Sequence, residues 1–260
     1  MQERSDPYLM TNEVDITIMV PCLNEETHVG STLKTIEAAM GSLGCSYEVI
    51  VADDGSTDRT AAVVEDFIKA NPQIPARLYR NPCNLGVART FVDMAFRGRG
   101  KYYRTVGGND MESIETLIAI FSKMGEADII VPYPRALETK SLPRRFVSRT
   151  FTMLVNTVTG YSLNYYNGFP LYRRFHVIRW APYNYGFSCQ GDLITTLLDQ
   201  GASCLEVPVT ASHRTKERAF SALRFQDFVS AGHTLFEMML RRSRHLLFER
   251  KRPKLPILYE

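Results

Sequence analysis

The sequence predicts an α/β fold with a mainly parallel central sheet, and three observations predict it. Short apolar runs alternate with amphipathic segments along the chain. The run Val49-Ile50-Val51-Ala52 ends in adjacent acids and a turn, Asp53-Asp54-Gly55-Ser56, as a strand does when it delivers carboxylates to a site. A chain of 260 residues with 45% hydrophobic content can bury one large core. Ligands of open α/β sheets bind beyond the carboxyl ends of the strands, and Asp53 and Asp54 stand at such an end.

The elements follow in order. Ile16 to Val20 is a short apolar strand stopped by Pro21, and Val29, Leu33, Ile36 and Met40 then recur at helical spacing. Tyr47 to Ala52 gives a second strand. Ser56 or Thr57 is placed to cap a helix carrying Ala61, Val64, Phe67 and Ile68, and Arg77 to Tyr79 gives a third strand. A helix after Asn84-Leu85-Gly86 sets Val87, Phe91 and Met94 on one face. Tyr102 to Val106 is the next strand, followed by the loop Gly107-Gly108-Asn109-Asp110. Beyond the strand Asp128 to Val131, residues 132–185 are richer in Pro, Tyr and Arg, with a helix near Arg144 to Val158. Gly191 to Gln200 reads as a helix, Cys204 to Val209 as a strand, and Phe220 to Phe248 as a long amphipathic helix or helix pair.

Composition narrows the class. The five cysteines are odd in number, scattered and without metal-type spacing, which reads as reduced thiols. No apolar run reaches the roughly 18–20 residues of a spanning helix, and the first fifteen residues are too polar for a secretory signal. The expectation is a cytoplasmic protein, soluble or peripheral on the cytoplasmic membrane face, with no nucleic-acid partner. The net charge of +3 is small but uneven, because Arg241, Arg242, Arg244, Arg250, Lys251, Arg252 and Lys254 crowd the C-terminus. Such a tail attracts an anionic surface. The apolar residues among them suit either a membrane interface, a membrane subunit or packing on the domain.

Three motifs follow successive strands: Pro21-Cys22-Leu23-Asn24-Glu25, Ala52-Asp53-Asp54-Gly55-Ser56-Thr57-Asp58 and Asn84-Leu85-Gly86-Val87-Ala88. Together they resemble the nucleotide-binding half of inverting family-2 glycosyltransferases. Asn167-Gly168-Phe169, Cys189-Gln190-Gly191-Asp192 and Leu205-Glu206-Val207-Pro208-Val209 with Arg214 resemble the second half of the dolichyl-phosphate (polyprenyl-phosphate) mannose synthase branch. The resemblance implies a GT-A-like three-layer sandwich over residues 16–215, divided into a nucleotide-binding half (16–131) and an acceptor half (132–215). Residues 1–15 are then an N-terminal extension and 216–260 an amphipathic basic segment.

The resemblance also assigns residues. It places the donor's base and ribose among Pro21, Asn24, Glu25 and Asp53, with Asp54 and Gly86 in the same nucleotide-sugar site. A carboxylate such as Asp53 can accept hydrogen bonds from an imide or amide edge; the alternative is that Asp53 or Asp54 caps the next helix. Leu23 stands where the family has an aromatic residue. The family ends its fourth strand with Asp-X-Asp, whose carboxylates hold Mg²⁺ or Mn²⁺ on the donor diphosphate. Here a slip of one residue offers Asp110 as the main ligand, with Glu112 and Asn109 beside it. The same residues fit a helix N-terminus in which Asp110 or Ser113 caps while Glu112 and Glu115 favour the dipole.

On the acceptor side the resemblance assigns Arg135, Arg144, Ser148, Gln190, Asp192 and Arg214, the arginines as forks for phosphate. Each arginine reads equally well as structural, and Asp192 also suits a helix N-cap. The function implied is inverting transfer of a sugar from a UDP- or GDP-linked donor to a polyprenyl phosphate. Two rivals stand beside it: transfer to a sugar or small-molecule hydroxyl with Asp192 as base, and a non-catalytic nucleotide-binding subunit. Pro170 and the segment Thr215-Lys216-Glu217-Arg218-Ala219 depart from the branch at its acceptor-side motifs.

Overall fold

The computed structural model describes residues 13–135, 142–181, 186, 188–210, 225–248 and 257–259. The chain alternates β1 (Val14–Cys22), α1 (Val29–Leu43), β2 (Tyr47–Asp53), α2 (Thr60–Ala70), β3 (Ala76–Arg80), α3 (Val87–Arg97) and β4 (Gly100–Thr105). It continues through α4 (Ile114–Phe121), β5 (Ile129–Pro134), α5 (Leu142–Thr159), β6 (Leu171–Arg173), α6 (Arg174–Arg179), α7 (Cys189–Asp199), β7 (Cys204–Val209), α8 (Phe225–Phe248) and β8 (Ile257–Tyr259). The strands form one eight-stranded sheet in the order β3-β2-β1-β4-β6-β5-β7-β8. All pairings are parallel except those of β6, which runs antiparallel to both β4 and β5.

Side chains on a strand alternate between faces, and the core divides accordingly. Ile18, Val20, Val49 and Val51 pack with Leu33, Val64, Leu117 and Ile120 on one side of the sheet. Met19, Ile50 and Tyr103 pack with Phe91, Phe151, Val155, Leu193 and Leu197 on the other. Helices α1, α2 and α4 therefore form one outer layer, and α3, α5 and α7 the other. This is the three-layer α/β sandwich that the sequence predicts.

Three local expectations change, and two short elements were not expected. Pro21 does not stop β1, because its carbonyl still accepts the Gly108 amide and the strand runs on to Cys22. Neither Ser56 nor Thr57 caps α2. Arg59 holds the N-cap position, and the Thr60 amide donates to Asp58 Oδ1 at 2.9 Å. Val87 is exposed and does not share the buried face of Phe91 and Met94, since it opens the first turn of α3. The three-residue β6 and the single-turn-and-a-half α6 fall below the window in which periodicity can be read.

Candidate active site

Strands β2, β1 and β4 are neighbours, so the loops that follow them meet at one edge of the sheet. The first two loops are joined by side chains. Asn24 sits in the left-handed region at φ 56, a conformation asparagine tolerates. Its Oδ1 accepts the Thr57 amide at 2.9 Å, while its own amide donates to Ser56 Oγ at 3.0 Å. The Glu25 amide donates to Thr60 Oγ1 at 2.8 Å, and Glu26 accepts the Arg59 amide at 2.9 Å. These bonds explain why Ser56 and Thr57 are absent from the α2 cap. Gly55, at φ 81, lets the β2 loop press on the next one: a Cβ there would lie 2.7 Å from the Cys83 carbonyl carbon.

The adjacent acids have different partners. Asp53 is almost fully buried; its Oδ1 accepts the Ser56 amide at 2.9 Å, and its Oδ2 lies 3.4 Å from Nε of the exposed Arg80. Asp54 organises the third loop. It accepts the Leu85 amide at 3.0 Å, the Gly86 amide at 2.9 Å, Asn81 Nδ2 at 2.8 Å and Thr90 Oγ1 at 3.3 Å. Asp54 thus shapes the Asn84-Leu85-Gly86 turn, and Gly86 begins α3 at φ 85.

The loop after β4 carries the predicted cation ligands. Gly108 packs directly on β1, where a Cβ would meet Cys22 Sγ at 2.5 Å, and its amide donates to the Pro21 carbonyl. Asp110 is buried at φ 54. Ser31 Oγ donates to its Oδ2 at 2.7 Å, Thr35 Oγ1 to its Oδ1 at 3.4 Å, and its amide donates to Thr32 Oγ1 at 3.0 Å. Glu112 points elsewhere: both its oxygens accept from the guanidinium of Arg104. Ser113 caps α4 by accepting the Thr116 amide. Asp110 and Glu112 are therefore engaged by different partners, and among the described residues no group of three His, Cys, Asp or Glu side chains could hold a metal ion. The donor set reduces to one carboxylate, Asp110. That fits a hard cation whose other ligands are water and diphosphate oxygens, as Mg²⁺ prefers, and not a cage made by protein alone.

On the acceptor half, Asp192 lies in the first turn of α7 and is 8% exposed. Its Oδ1 accepts Arg241 Nη1 at 2.8 Å and its Oδ2 accepts Trp180 Nε1 at 3.3 Å. Arg241 comes from α8 and also bonds Asp199 Oδ2 at 2.7 Å, Thr196 Oγ1 at 2.7 Å and Thr195 Oγ1 at 2.6 Å. Asp192 is thus turned toward α8, whereas Asp53 and Asp110 stand at the edge made by β2 and β4. Ser188, not Asp192, holds the N-cap position of α7. Gln190 Oε1 accepts Tyr172 Oη at 2.8 Å. Ser148 is buried on α5, and Arg135 is exposed at the end of β5, its amide donating to the Val209 carbonyl. The side chain of Arg144 and all of Arg214 lie outside the described residues.

Arg104 went unnoticed in the sequence, and Arg241 and Glu206 were named there without the roles they take here. Glu206 is fully buried on β7 and accepts the Asn164 amide at 2.8 Å and Asn164 Nδ2 at 3.0 Å; burial pushes its carboxyl up against those two bonds. A signal for Arg104 existed. A lone arginine inside Tyr102-Tyr103-Arg104-Thr105-Val106 requires a carboxylate nearby if the strand is buried.

A family profile described as glycosyl transferase family 2 matches residues 17–180. The chain is 26% identical over 173 residues to a dodecaprenyl-phosphate galacturonate synthase of Rhizobium johnstonii, covering 64% of this chain and 51% of the relative. It is 27% identical over 141 residues to a dolichyl-phosphate beta-glucosyltransferase of Dictyostelium discoideum, covering 49% and 43%. The chain spans about half the length of the curated relatives it matches. Its fold resembles a mannosyltransferase from Pyrobaculum calidifontis solved in complex with GDP-Man and Mn²⁺, with a TM-score of 0.64 and 17% identity over 92% of this chain and 72% of that one. The profile covers well over half of the sequence, and the three-layer sheet with its loops gathered at one edge agrees with it: the chain belongs to glycosyl transferase family 2.

Proposed function

We propose that the protein transfers a sugar from a nucleoside-diphosphate donor to a polyprenyl phosphate, with inversion at the anomeric carbon. The observation that carries the acceptor class is the engagement of Asp192 by Arg241 and Trp180. A sugar hydroxyl is barely acidic and needs a general base within hydrogen-bond reach. A phosphate is already ionised and needs orientation and desolvation only. The relatives named for polyprenyl-linked acceptors support the same reading.

In this reading Asp53 accepts from the donor's base, with Pro21, Asn24 and Glu25 around it. Asp54 acts through the turn it holds at Gly86. Asp110 would hold Mg²⁺ or Mn²⁺, which supplies positive charge to the departing diphosphate. Arg135, with Arg144 and Arg214, offers guanidinium forks for phosphate, and Ser148 and Gln190 complete the acceptor side. The acceptor oxygen attacks the anomeric carbon from the face opposite the diphosphate.

A lipid acceptor requires a membrane, and α5 and α8 offer a surface for one. No helix among the described residues is long and apolar enough to cross a membrane. Helix α8 carries apolar residues beyond its buried side, however: Met238 is buried, while Val229, Phe236, Leu240 and Leu247 recur on the exposed side. Phe248 is 82% exposed and Phe146 of α5 is 72% exposed. Arg149, Arg242 and Arg244 flank them, a composition that suits an anionic interface.

The test supplies UDP- and GDP-linked sugars with polyprenyl phosphate in anionic vesicles and follows label into the lipid phase. Asp192→Asn is expected to keep turnover per folded molecule within about tenfold of wild type. Near-total loss of turnover with donor binding intact, and transfer to soluble sugars, would favour the hydroxyl acceptor. Nucleotide binding that ignores Mn²⁺, together with no donor hydrolysis, would favour a non-catalytic subunit.

A further inference from the structure

Arg104 is 0% exposed in the middle of the sheet, and its position asks for an apolar residue. Its register partners are Ile18 on β1 and Leu171 on β6. A buried guanidinium costs several kcal/mol unless charge and hydrogen bonds compensate it, and an aliphatic side chain would pack there without that cost. The compensation is unusually directional. Nη1 and Nη2 donate to the two oxygens of Glu112, Nε donates to the Phe169 carbonyl at 3.1 Å, and the guanidinium carbon lies 5.6 Å from the centre of the Phe121 ring.

These bonds reach two different parts of the cleft. Glu112 closes the loop that contains Asp110, a loop also fastened to Pro21 and to Ser31, Thr32 and Thr35 of α1. Phe169 belongs to the segment 164–170, which is held at its start by the Asn164–Glu206 bonds and leads into β6. Gly168 of that segment packs on β5, where a Cβ would come within 3.1 Å of the Pro132 carbonyl oxygen. One rigid, planar group therefore bonds the donor-side loop with one edge and the acceptor-side segment with another.

We propose that Arg104 is a positioning residue that couples the donor-side loop 107–112 to the acceptor-side segment 164–170, so that occupation of the first is felt by the second. The coupling rests on the donor-site reading given above. Lysine cannot reproduce it, because an ammonium is a point charge without a fork.

Hydrogen–deuterium exchange of the full chain tests this without a turnover assay. In the absence of ligand, Arg104→Lys is expected to speed exchange about fivefold in both 107–112 and 164–170 while leaving β2 and β3 unchanged. Glu112→Gln, which leaves the bond to Phe169 in place, is expected to loosen 107–112 alone. With UDP or GDP and Mn²⁺, the wild type is expected to slow exchange in both segments and Arg104→Lys in 107–112 only. Loosening confined to one segment in Arg104→Lys, or undiminished protection of 164–170 by nucleotide in that variant, overturns the proposal. If calorimetry detects no nucleotide binding to the wild type, the donor-site reading fails, and the ligand-free comparison still decides the tie. Should Arg104→Lys not fold, Arg104→Met combined with Glu112→Met removes the charges and both ties and must loosen both segments.

Discussion

Replacing Arg241 with methionine separates two roles for Asp192. The guanidinium bonds Asp192 and Asp199 at 2.8 and 2.7 Å, and the side chains of both acids are only about a tenth exposed. Removing one partner of a buried pair costs about 3–5 kcal/mol, because the remaining charge stays buried without compensation. Here two carboxylates lose their shared counter-ion. Arg241 is itself 20% exposed, so water relieves part of the penalty and about 2–4 kcal/mol is the working value. For a chain of this size that corresponds to a fall in Tm of roughly 5–12 °C.

The assay is thermal and urea unfolding of Arg241→Met, Asp192→Asn and the double variant. A latch between α7 and α8 predicts that the two changes are not additive, with a coupling of about 1–3 kcal/mol. It also predicts faster proteolysis within α8 in both single variants. A Tm for Arg241→Met within about 1 °C of wild type, or strict additivity, would refute the reasoning. If Asp192→Asn then also lost turnover at unchanged stability, Asp192 would be the base after all and the acceptor a hydroxyl.

Further outcomes can be measured on the same material. Asp54→Asn turns an NH₂ toward donors that now bond a carboxylate, and a loss of about 2–3 kcal/mol together with weaker UDP or GDP binding is expected from urea titration and calorimetry; unchanged stability would remove Asp54 from the loop scaffold. Glu206 is raised by burial, so the stability it contributes is full below its unfolded value and lost as pH rises through its folded one. Glu206→Gln should therefore flatten the fall in urea midpoint as pH rises above the ordinary carboxylate range. Glu48 has the opposite sign: burial pushes it up, but the Arg99 amide, the Thr17 hydroxyl and Arg77 outweigh burial and hold it low. Its stabilisation is present above the ordinary carboxylate range and disappears on acidification, a loss that Glu48→Gln should abolish. Cys189 and Cys204 are pushed up to about 12 by burial, whereas Cys83 is exposed. A thiol reagent should modify Cys83 in the folded protein and reach Cys189 and Cys204 only on unfolding.

The layered sheet was legible because its signals are local. Val49 to Ala52 and Ile16 to Val20 are unbroken apolar runs, and their helices keep a period near 3.6, so burial on both faces of the sheet follows from composition alone. The acids Asp53 and Asp110 were found for the same reason, since Asp53 ends β2 and Asp110 lies in the loop that follows β4. Strand β6 was invisible. Three residues carry no periodicity, and their pairing with β4 and β5 is set by contacts far apart in sequence. The α2 cap was misplaced because Ser56 and Thr57 had a second possible partner, Asn24, lying 32 and 33 residues away.

Side-chain chemistry was harder to read than backbone, and the arginines explain why. A carboxylate at a strand end has the same sequence signature whether it meets a ligand or a protein cation, and the difference lies in which guanidinium arrives from elsewhere. Glu112 resembles a metal ligand until Arg104 takes both its oxygens, and Asp192 resembles a base until Arg241 arrives from a helix 49 positions later. Asp110 differs in that the hydroxyls of Ser31 and Thr35 on α1 are among its partners. Neutral hydroxyls orient a carboxylate without cancelling its charge, which is compatible with the cation-binding role proposed for Asp110. Under the proposed function Asp110 serves the donor, while Glu112 and Asp192 are bonded by arginines of the surrounding frame.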